Sequence, residues 1–372
     1  SDGNGFGDFY YAPPTDFLAC ASPNIPTSSD IDPAGDDGDT DNNSKHFGVV
    51  TYTGNGSSNA ITGLGFQPDL VWGKCISASQ TGILIDSSRG QGLLFSSLAN
   101  AEQTSNGPFM TSYDSDGFTL ASSGSNPNDS GRTYVAWCWR ANGASTSSNS
   151  SGSITSTVQA NTKGGFSIMT YTGTGSNATI GHGLSAKPDF ILTKRRSSEQ
   201  TWGVYHTSLG ATKYLALNSS AAAGTDSTFW NNTEPTTSVI SLGTEGRVNQ
   251  NSGTYVAYAW HSVSGFSRFG SFQGNADNDG TFVYTGFRPR MLFIKNTASA
   301  SPWCVYDTAR PSFNPSYLVG WDEATAQNTS SYPIDILSNG FKIRTSNATV
   351  NSAHTWVFGA WGNPSFKYNN TF

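Results

Sequence analysis

The chain has 372 residues, of which only 12% are charged and 13% are aromatic, a composition that supports several small hydrophobic cores and excludes global disorder. The length predicts two or three domains. The net charge of −6 comes from the first 46 residues, which hold nine Asp and one Lys, so residues 47–372 are nearly neutral and contain no Lys/Arg cluster. This balance excludes nucleic acid as a partner, and the longest apolar run, six residues, is too short for membrane insertion.

The first 46 residues differ in composition from the rest. In residues 1–26, aromatic residues precede a Pro-fixed turn, which is typical of a closing strand that lacks its partners. The chain begins without Met, and we expect it to be the trailing part of a longer product. Residues 27–46 are an acidic linker, whose like charges predict a solvated spacer.

Three aspartates in this linker have the spacing of calcium ligands. Asp37, Asp39 and Asp41 alternate as the first three ligands of a calcium loop do, but Asn42 replaces the loop glycine and Gly48 stands where a bidentate Glu is needed. A calcium site is therefore the lesser hypothesis, and the solvated spacer is favoured.

One sequence pattern occurs three times, at 133–139, 254–260 and 355–361. In each copy Thr opens a run of alternating aromatic and small residues that closes on Trp six positions later, which is the period-2 pattern of a strand. Both faces of the strand are apolar. We therefore predict an inner strand of a sandwich whose second face is covered by another part of the protein.

The spacing of other residues repeats with the same period. Pro precedes Lys by six residues and that Lys precedes an Asp or His by twelve, at 68/74/86, 188/194/206 and 289/295/307. This predicts an all-β fold of three tandem antiparallel, jelly-roll-like β-sandwich repeats of about 95 residues, at 47–140, 166–261 and 266–372 with its C-terminal tail.

The connections between the repeats differ. Residues 141–165 are nearly all Ser, Thr, Gly, Ala and Asn, which predicts a flexible linker that reaches roughly 25 to 30 Å. Residues 262–265 form a short joint. We expect a rigid pair of sandwiches after a mobile joint.

The four cysteines, Cys20, Cys75, Cys138 and Cys304, have no metal-site spacing. Cys75 and Cys138 share a repeat and could pair, but Ala stands at the place of Cys138 in the other copies. Small buried thiols are the favoured interpretation.

Few residues have the pattern of a catalytic site. Asp86 with Arg89, and Asp307 with Arg310, stand at equivalent positions, where an Asp that caps a turn and pairs with Arg is favoured over a catalytic pair. The recurring Lys74, Lys194 and Lys295 are interpreted as rim lysines at strand ends rather than as bases.

Two tryptophans are candidates for ligand contact. Trp202 and Trp303 each stand eight residues after the recurring Lys. If they were exposed beside His206 or Asp307, their flat faces would form a platform for sugar rings. The alternative, that they belong to the core, carries at least equal weight.

Several segments resemble an uncharacterised repeat domain of marine phage virion proteins, and the match covers about 47–370. The segments that carry the resemblance are 166–173, 181–184, 187–189, 204–210 and 229–232, with 286–290 and 338–342 similar to its last copy. Residues 9–15 resemble the closing strand of a SPRY, concanavalin-like domain. The acidic insert at 30–41 departs from the family pattern. No catalytic residues are known for this family.

The resemblance implies a non-enzymatic structural protein at the virion surface, outside the cell. We expect a bacteriophage tail fibre or adhesin that attaches to the host, forms homo-oligomers, contacts other virion proteins and binds host surface glycan. A capsid-decorating protein and a secreted bacterial carbohydrate-binding protein are alternatives, and a depolymerase is a lesser one. The host, the receptor and the number of subunits stay open.

Overall fold

The computed structural model describes residues 45–104, 109–122, 127–311 and 313–362, together with Tyr11 and Pro14. The predicted closing strand at 1–26, nearly all of the acidic linker at 27–46, the calcium candidates Asp37, Asp39 and Asp41, and the tail after 362 lie outside the described residues. In the part that is described, no helix is long and apolar enough to cross a membrane.

The fold is almost entirely β, with antiparallel sheets, which confirms the predicted fold class. Each of three units, here named unit 1 (47–140), unit 2 (141–261) and unit 3 (266–362), pairs a large sheet with a smaller one. The strands of unit 1 are β1 (Phe47–Thr53), β2 (Asn59–Thr62), β3 (Leu70–Cys75), β4 (Ile83–Asp86), β5 (Leu94–Phe95), β6 (Met110–Asp114), β7 (Gly117–Leu120) and β8 (Thr133–Trp139).

Unit 2 has two additional strands at its start, and it also contains two short helices. Its elements are β9 (Ser147–Asn149), β10 (Ser156–Asn161), β11 (Phe166–Thr172), β12 (Ala178–Gly181), β13 (Phe190–Arg195), β14 (Gly203–His206), β15 (Lys213–Tyr214), β16 (Gly224–Thr225), α1 (Ser227–Trp230), β17 (Val239–Leu242), α2 (Gly246–Asn249) and β18 (Thr254–Trp260).

Unit 3 contains eight strands and one short helix among its described residues. They are β19 (Ser267–Gln273), β20 (Phe282–Tyr284), β21 (Pro289–Asn296), β22 (Cys304–Asp307), β23 (Val319–Gly320), β24 (Ile334–Leu337), β25 (Gly340–Ile343), α3 (Ala348–Asn351) and β26 (Thr355–Gly362).

The three large sheets share one strand order. It is β1-β8-β3-β4-β5 in unit 1, β11-β18-β13-β14 within the larger sheet of unit 2, and β19-β26-β21-β22-β23 in unit 3. The Trp-terminated strand is second in this shared order, so it has a partner strand on both sides. That the units are copies of one ancestral repeat stays a prediction from the spacing.

Both faces of the Trp-terminated strand are buried, as its sequence predicts. In β8, Ala136 and Cys138 face the core between the two sheets of unit 1. Val135, Trp137 and Trp139 face a second core, which contains residues of all three units. The cover on the second face is therefore the other two units.

Three tryptophans lie at the centre of this shared core. Trp139, Trp260 and Trp361 are each 1% exposed. Their ring centroids are 5.6, 5.2 and 6.0 Å apart, and every pair is edge-to-face. Such contacts contribute about 0.5–1.5 kcal/mol each beyond the burial of area. The units thus close into a ring around one apolar centre, whereas the sequence suggests sandwiches joined in a row.

The predicted flexible linker at 141–165 is largely β-structure. Strand β10 pairs with β11 from Thr157↔Thr170 to Asn161↔Phe166, and β9 pairs with β10. Ile154 and Val158 are 7% and 4% exposed and pack in the core of unit 2. The prediction of a mobile coil is wrong because two apolar side chains among the Ser and Thr are enough to fix the segment on a sheet edge.

A buried asparagine, unnoticed in the sequence, fixes the first turn of each unit. Asn249 accepts a hydrogen bond from Thr174 N and donates to Ser176 O and Gly243 O, at 2.6–2.9 Å. Asn128 and Asn351 make the same three kinds of contact in units 1 and 3. An Asn ten or eleven residues before the closing Trp was the available signal.

The described cysteines are buried free thiols. Cys75 and Cys138 do not pair, and Cys304 is also free. This confirms the favoured interpretation, and burial raises the pKa of the Cys138 and Cys304 thiols.

Candidate functional site

The polar residues that recur in the sequence lie at the three junctions between units. At the end of β4, Asp86 accepts a 2.6 Å hydrogen bond from Tyr258 Oη of unit 2. At the end of β22, Asp307 accepts one of 3.2 Å from Trp137 Nε1 of unit 1. All four groups are buried. The donors stand at matching places, two residues before the closing Trp.

His206 makes the corresponding contact between units 2 and 3. Its Nδ1 accepts from Ser208 N, so Nε2 carries the proton and donates to Phe358 O at 3.1 Å. Burial lowers the pKa of His206 to about 4, and the imidazole is neutral at pH 7. At the position of Tyr258 and Trp137, unit 3 has Gly359, which has no side chain that could contact His206. A backbone carbonyl is the partner instead, and it suits the neutral N–H donor of this histidine.

The carboxylates are fixed within their own turns, as predicted. Asp86 accepts from Arg89 N at 3.0 Å and pairs with Arg89 Nε at 2.5 Å. Asp307 and Arg310 do the same at 3.1 and 2.7 Å. Glu102 extends the first pair by contacts to Arg89 and to Arg196 Nε of unit 2.

The recurring lysines are buried and reach into the next unit, so their interpretation as rim lysines is wrong. Lys74 Nζ donates to Glu323 O of unit 3, and Lys194 Nζ donates to Ala99 O of unit 1. Lys295 Nζ donates to the carbonyls of residues 220 and 221 of unit 2, both at 2.9 Å. Burial lowers the pKa of each of the three lysines to about 8.

Trp202 and Trp303 are fully buried, so the hypothesis of a sugar-stacking platform is wrong for them. Trp202 Nε1 donates to Phe95 O of unit 1, and Trp303 Nε1 donates to Ala216 O of unit 2, both at 2.9 Å. His206 and Asp307 are also buried and close to these junctions. The four candidates therefore hold units together and present no face to a ligand.

Unit 1 has no tryptophan at the equivalent place, and unit 3 fills the space. Gly82 stands there, and a Cβ on it would lie 2.4 Å from Ser96 Oγ. Trp321 of unit 3 stacks on Trp72, with centroids 4.0 Å apart and planes 18° apart, and its carbonyl accepts from Ser96 Oγ. Each junction thus has its own indole.

A polar pocket lies where unit 1 passes into β10. Its volume is about 260 Å³. Its lining consists of residues 140–143 and 160–163, which include Asn142, Asn161 and Thr162. Asn161 holds the two segments together, because its Nδ2 donates to Arg140 O and its Oδ1 accepts from Gly164 N. Amides and a hydroxyl in the lining suit a small hydroxylated ligand.

The repeated motifs do not indicate this pocket, because most of its lining belongs to the Ser/Thr-rich segment 141–165, which lies between two repeats. Asp69 shapes one wall by accepting backbone hydrogen bonds from Ala141, Gly143 and Ala144 at 2.7–2.9 Å. The motif Pro-Asp at 68–69 recurs at 188–189, where Asp189 accepts from Ser262 N instead. The pocket is the candidate ligand site of the described residues.

A family model described as a domain of unknown function, DUF7483, matches residues 42–364. The chain belongs to the DUF7483 family. A search of the curated proteins and a search of the solved structures each found no match. The match to DUF7483 spans all three units and the segment between units 1 and 2, which agrees with a ring that is one folded body.

Tyr258→Phe tests the first junction of the DUF7483 domain. The substitution keeps the ring and removes the hydrogen bond to the buried Asp86 carboxylate, so we expect the free energy of unfolding to fall by about 2 kcal/mol. Tyr284→Phe is the control, since Tyr284 is 55% exposed, and it should change stability by less than about 0.5 kcal/mol. Urea unfolding of both variants measures this, and equal effects would contradict the role of Tyr258.

His206→Gln tests the neutral imidazole at the second junction. Its folded pKa of about 4 lies below the ordinary 6.5, so the unfolded chain takes up a proton first as the pH falls, and stability is lost between pH 6.5 and 4. Between pH 7 and pH 4 the wild type should lose about 3 kcal/mol more than the variant. His354→Gln, at an exposed site, should change the free energy of unfolding at pH 7 by less than about 0.5 kcal/mol. A parallel pH profile for His206→Gln would refute this assignment.

Proposed function

We propose that this DUF7483 chain is a non-enzymatic structural module of a bacteriophage virion, a tail fibre or surface adhesin that takes part in host attachment. The observation that carries the proposal is the burial of the shared polar residues at the junctions between units. Asp86, His206, Asp307 and the three junction lysines, which are the chemistry-bearing residues that the repeats share, are buried in contacts between units.

A closed ring suits a particle that must survive outside a cell. Loops that lie outside the junctions can vary without weakening the centre, because the shared core and the junction contacts hold the units together. Burial of the central strands on both faces also removes backbone from proteases. The resemblance to repeat domains of marine phage virions agrees with this role and gives the expected location, the virion surface, with other virion proteins as partners.

Immunogold electron microscopy tests the proposal on intact particles. Antibody raised against the purified chain should label particles from a lysate of the producing culture, with gold at the tail if the chain is a fibre or adhesin. Label on the head would instead indicate a capsid-decorating protein. Label confined to the bacterial envelope or medium, with none on particles, would overturn the virion assignment.

Carbohydrate binding is the second candidate function, and the polar pocket favours it. A volume of about 260 Å³ admits roughly one sugar ring, and the polar lining suits the hydroxyl groups of such a ring. Such a ligand suits either a virion adhesin on a host glycan or a secreted carbohydrate-binding protein.

A larger side chain in the lining tests this pocket. Thr162→Trp narrows the pocket and should weaken binding of neutral oligosaccharides by about tenfold or more, since a sugar ring no longer fits. Thr233→Trp, at an exposed site outside the lining, should bind as the wild type does. Isothermal titration measures both, and equal weakening in the two variants, or no binding by the wild type, would exclude the pocket as the site.

A further inference from the structure

In unit 2, the segment before the first strand closes the open side of the sandwich. Strand β10 pairs with β11, the edge of the large-sheet pattern, while Ile154 forms a parallel bridge with Ile180 on the edge of the small sheet. Ile154 N donates to Thr179 O at 2.9 Å, and Ser156 Oγ donates to Gly181 O at 2.7 Å. One extended segment therefore joins both sheet edges and inserts two apolar side chains.

In unit 3, the same side has no covering segment among the described residues. Strands β19 and β20 are the first strands of their sheets, and each has a partner on one side. The joint at 262–265 that precedes β19 has four residues, and its Val263 bridges back to Ser267. It is too short to supply an extended strand along both edges, since a residue spans about 3.3 Å.

The open side carries large aromatic side chains where unit 2 has small ones. Val283, the buried middle residue of β20, takes the place of Ile180. Its neighbours Phe282 and Tyr284 are 43% and 55% exposed, at the places of Thr179 and Gly181. They project on one face of the strand, about 7 Å apart. Unit 1 has Ala60 and Thr62 there, so the aromatic pair is particular to unit 3.

An arginine connects the two edges. Arg268 of β19 places its guanidinium 5.4 Å from the centre of the Tyr284 ring. Backbone groups on the outer sides of β19 and β20 and the exposed aromatic pair thus lie along one side of the sandwich. An edge with exposed apolar side chains is a template for strand pairing unless something covers it.

We propose that this side of unit 3, formed by β19 and β20, binds an extended segment of a partner polypeptide by strand addition. The segment would pair with β19 as β10 pairs with β11, and it would place apolar side chains four residues apart, as Ile154 and Val158 are, against the core beside Val283, while its remaining side chains contact the aromatic pair. The precedent is within the molecule, because unit 2 binds its own linker in this way. The proposal does not depend on the proposed function.

The test uses a labelled peptide with the sequence of residues 151–163 and the full chain. Fluorescence anisotropy should show saturable binding, and hydrogen exchange should show new protection of the backbone at 267–273. Phe282→Ser with Tyr284→Ser should weaken binding by about tenfold or more. Phe313→Ser, at a side chain that is 85% exposed elsewhere on unit 3, should bind as the wild type does.

A proline-containing peptide distinguishes strand addition from other modes of binding. A peptide with Pro in place of both Gln159 and Ala160 loses two successive backbone donors, one of which points toward β19, and should fail to bind. Binding that survives these prolines, or that protects another part of the chain, would overturn the proposal. So would the absence of saturable binding of the wild-type peptide, or an aromatic pair that binds neutral oligosaccharides and ignores the peptide.

Discussion

The burial of both faces of the Trp-terminated strand is the constraint on which the rest of the structure depends. A strand with Val135, Trp137 and Trp139 on its second face cannot leave that face in water without a large loss of hydrophobic free energy, about 1.5–3 kcal/mol for each large side chain. Within one unit, the small sheet covers only one face of this strand. The three strands therefore cover one another, and Trp139, Trp260 and Trp361 meet at the centre.

Closure of the ring explains why polar residues recur with the apolar pattern. Each junction buries a strand-end side chain, Asp86, His206 or Asp307, and each partner group differs to match it: a phenol, a peptide carbonyl and an indole. The carboxylates receive donors and the neutral imidazole receives an acceptor, so each of these three side chains has a partner across its junction. Differences among the copies follow from this matching. They also distinguish the three junctions and so fix the order of the units.

The sequence predicts the fold class, the inner position of the repeated strand and the Asp–Arg turns, because these follow from local periodicity and spacing. It does not predict the ring, since a strand with two apolar faces requires a cover but does not say which part of the chain provides it. For the same reason the buried Trp202 and Trp303 resemble a ligand platform in the sequence, and Lys194 resembles a rim residue, until their partners in other units are known. The Ser and Thr content of residues 141–165 predicts a flexible linker, but the burial of Ile154 and Val158 fixes the segment on the sheet edge of unit 2.

Differential scanning calorimetry of the full chain tests the shared core most directly. If the three units fold around one centre, the described units should unfold in a single transition whose calorimetric and van't Hoff enthalpies agree, because no unit can leave without exposing the tryptophans of the others. Three separate transitions, or a unit 1 that melts independently of units 2 and 3, would contradict the ring and restore a row of independent sandwiches.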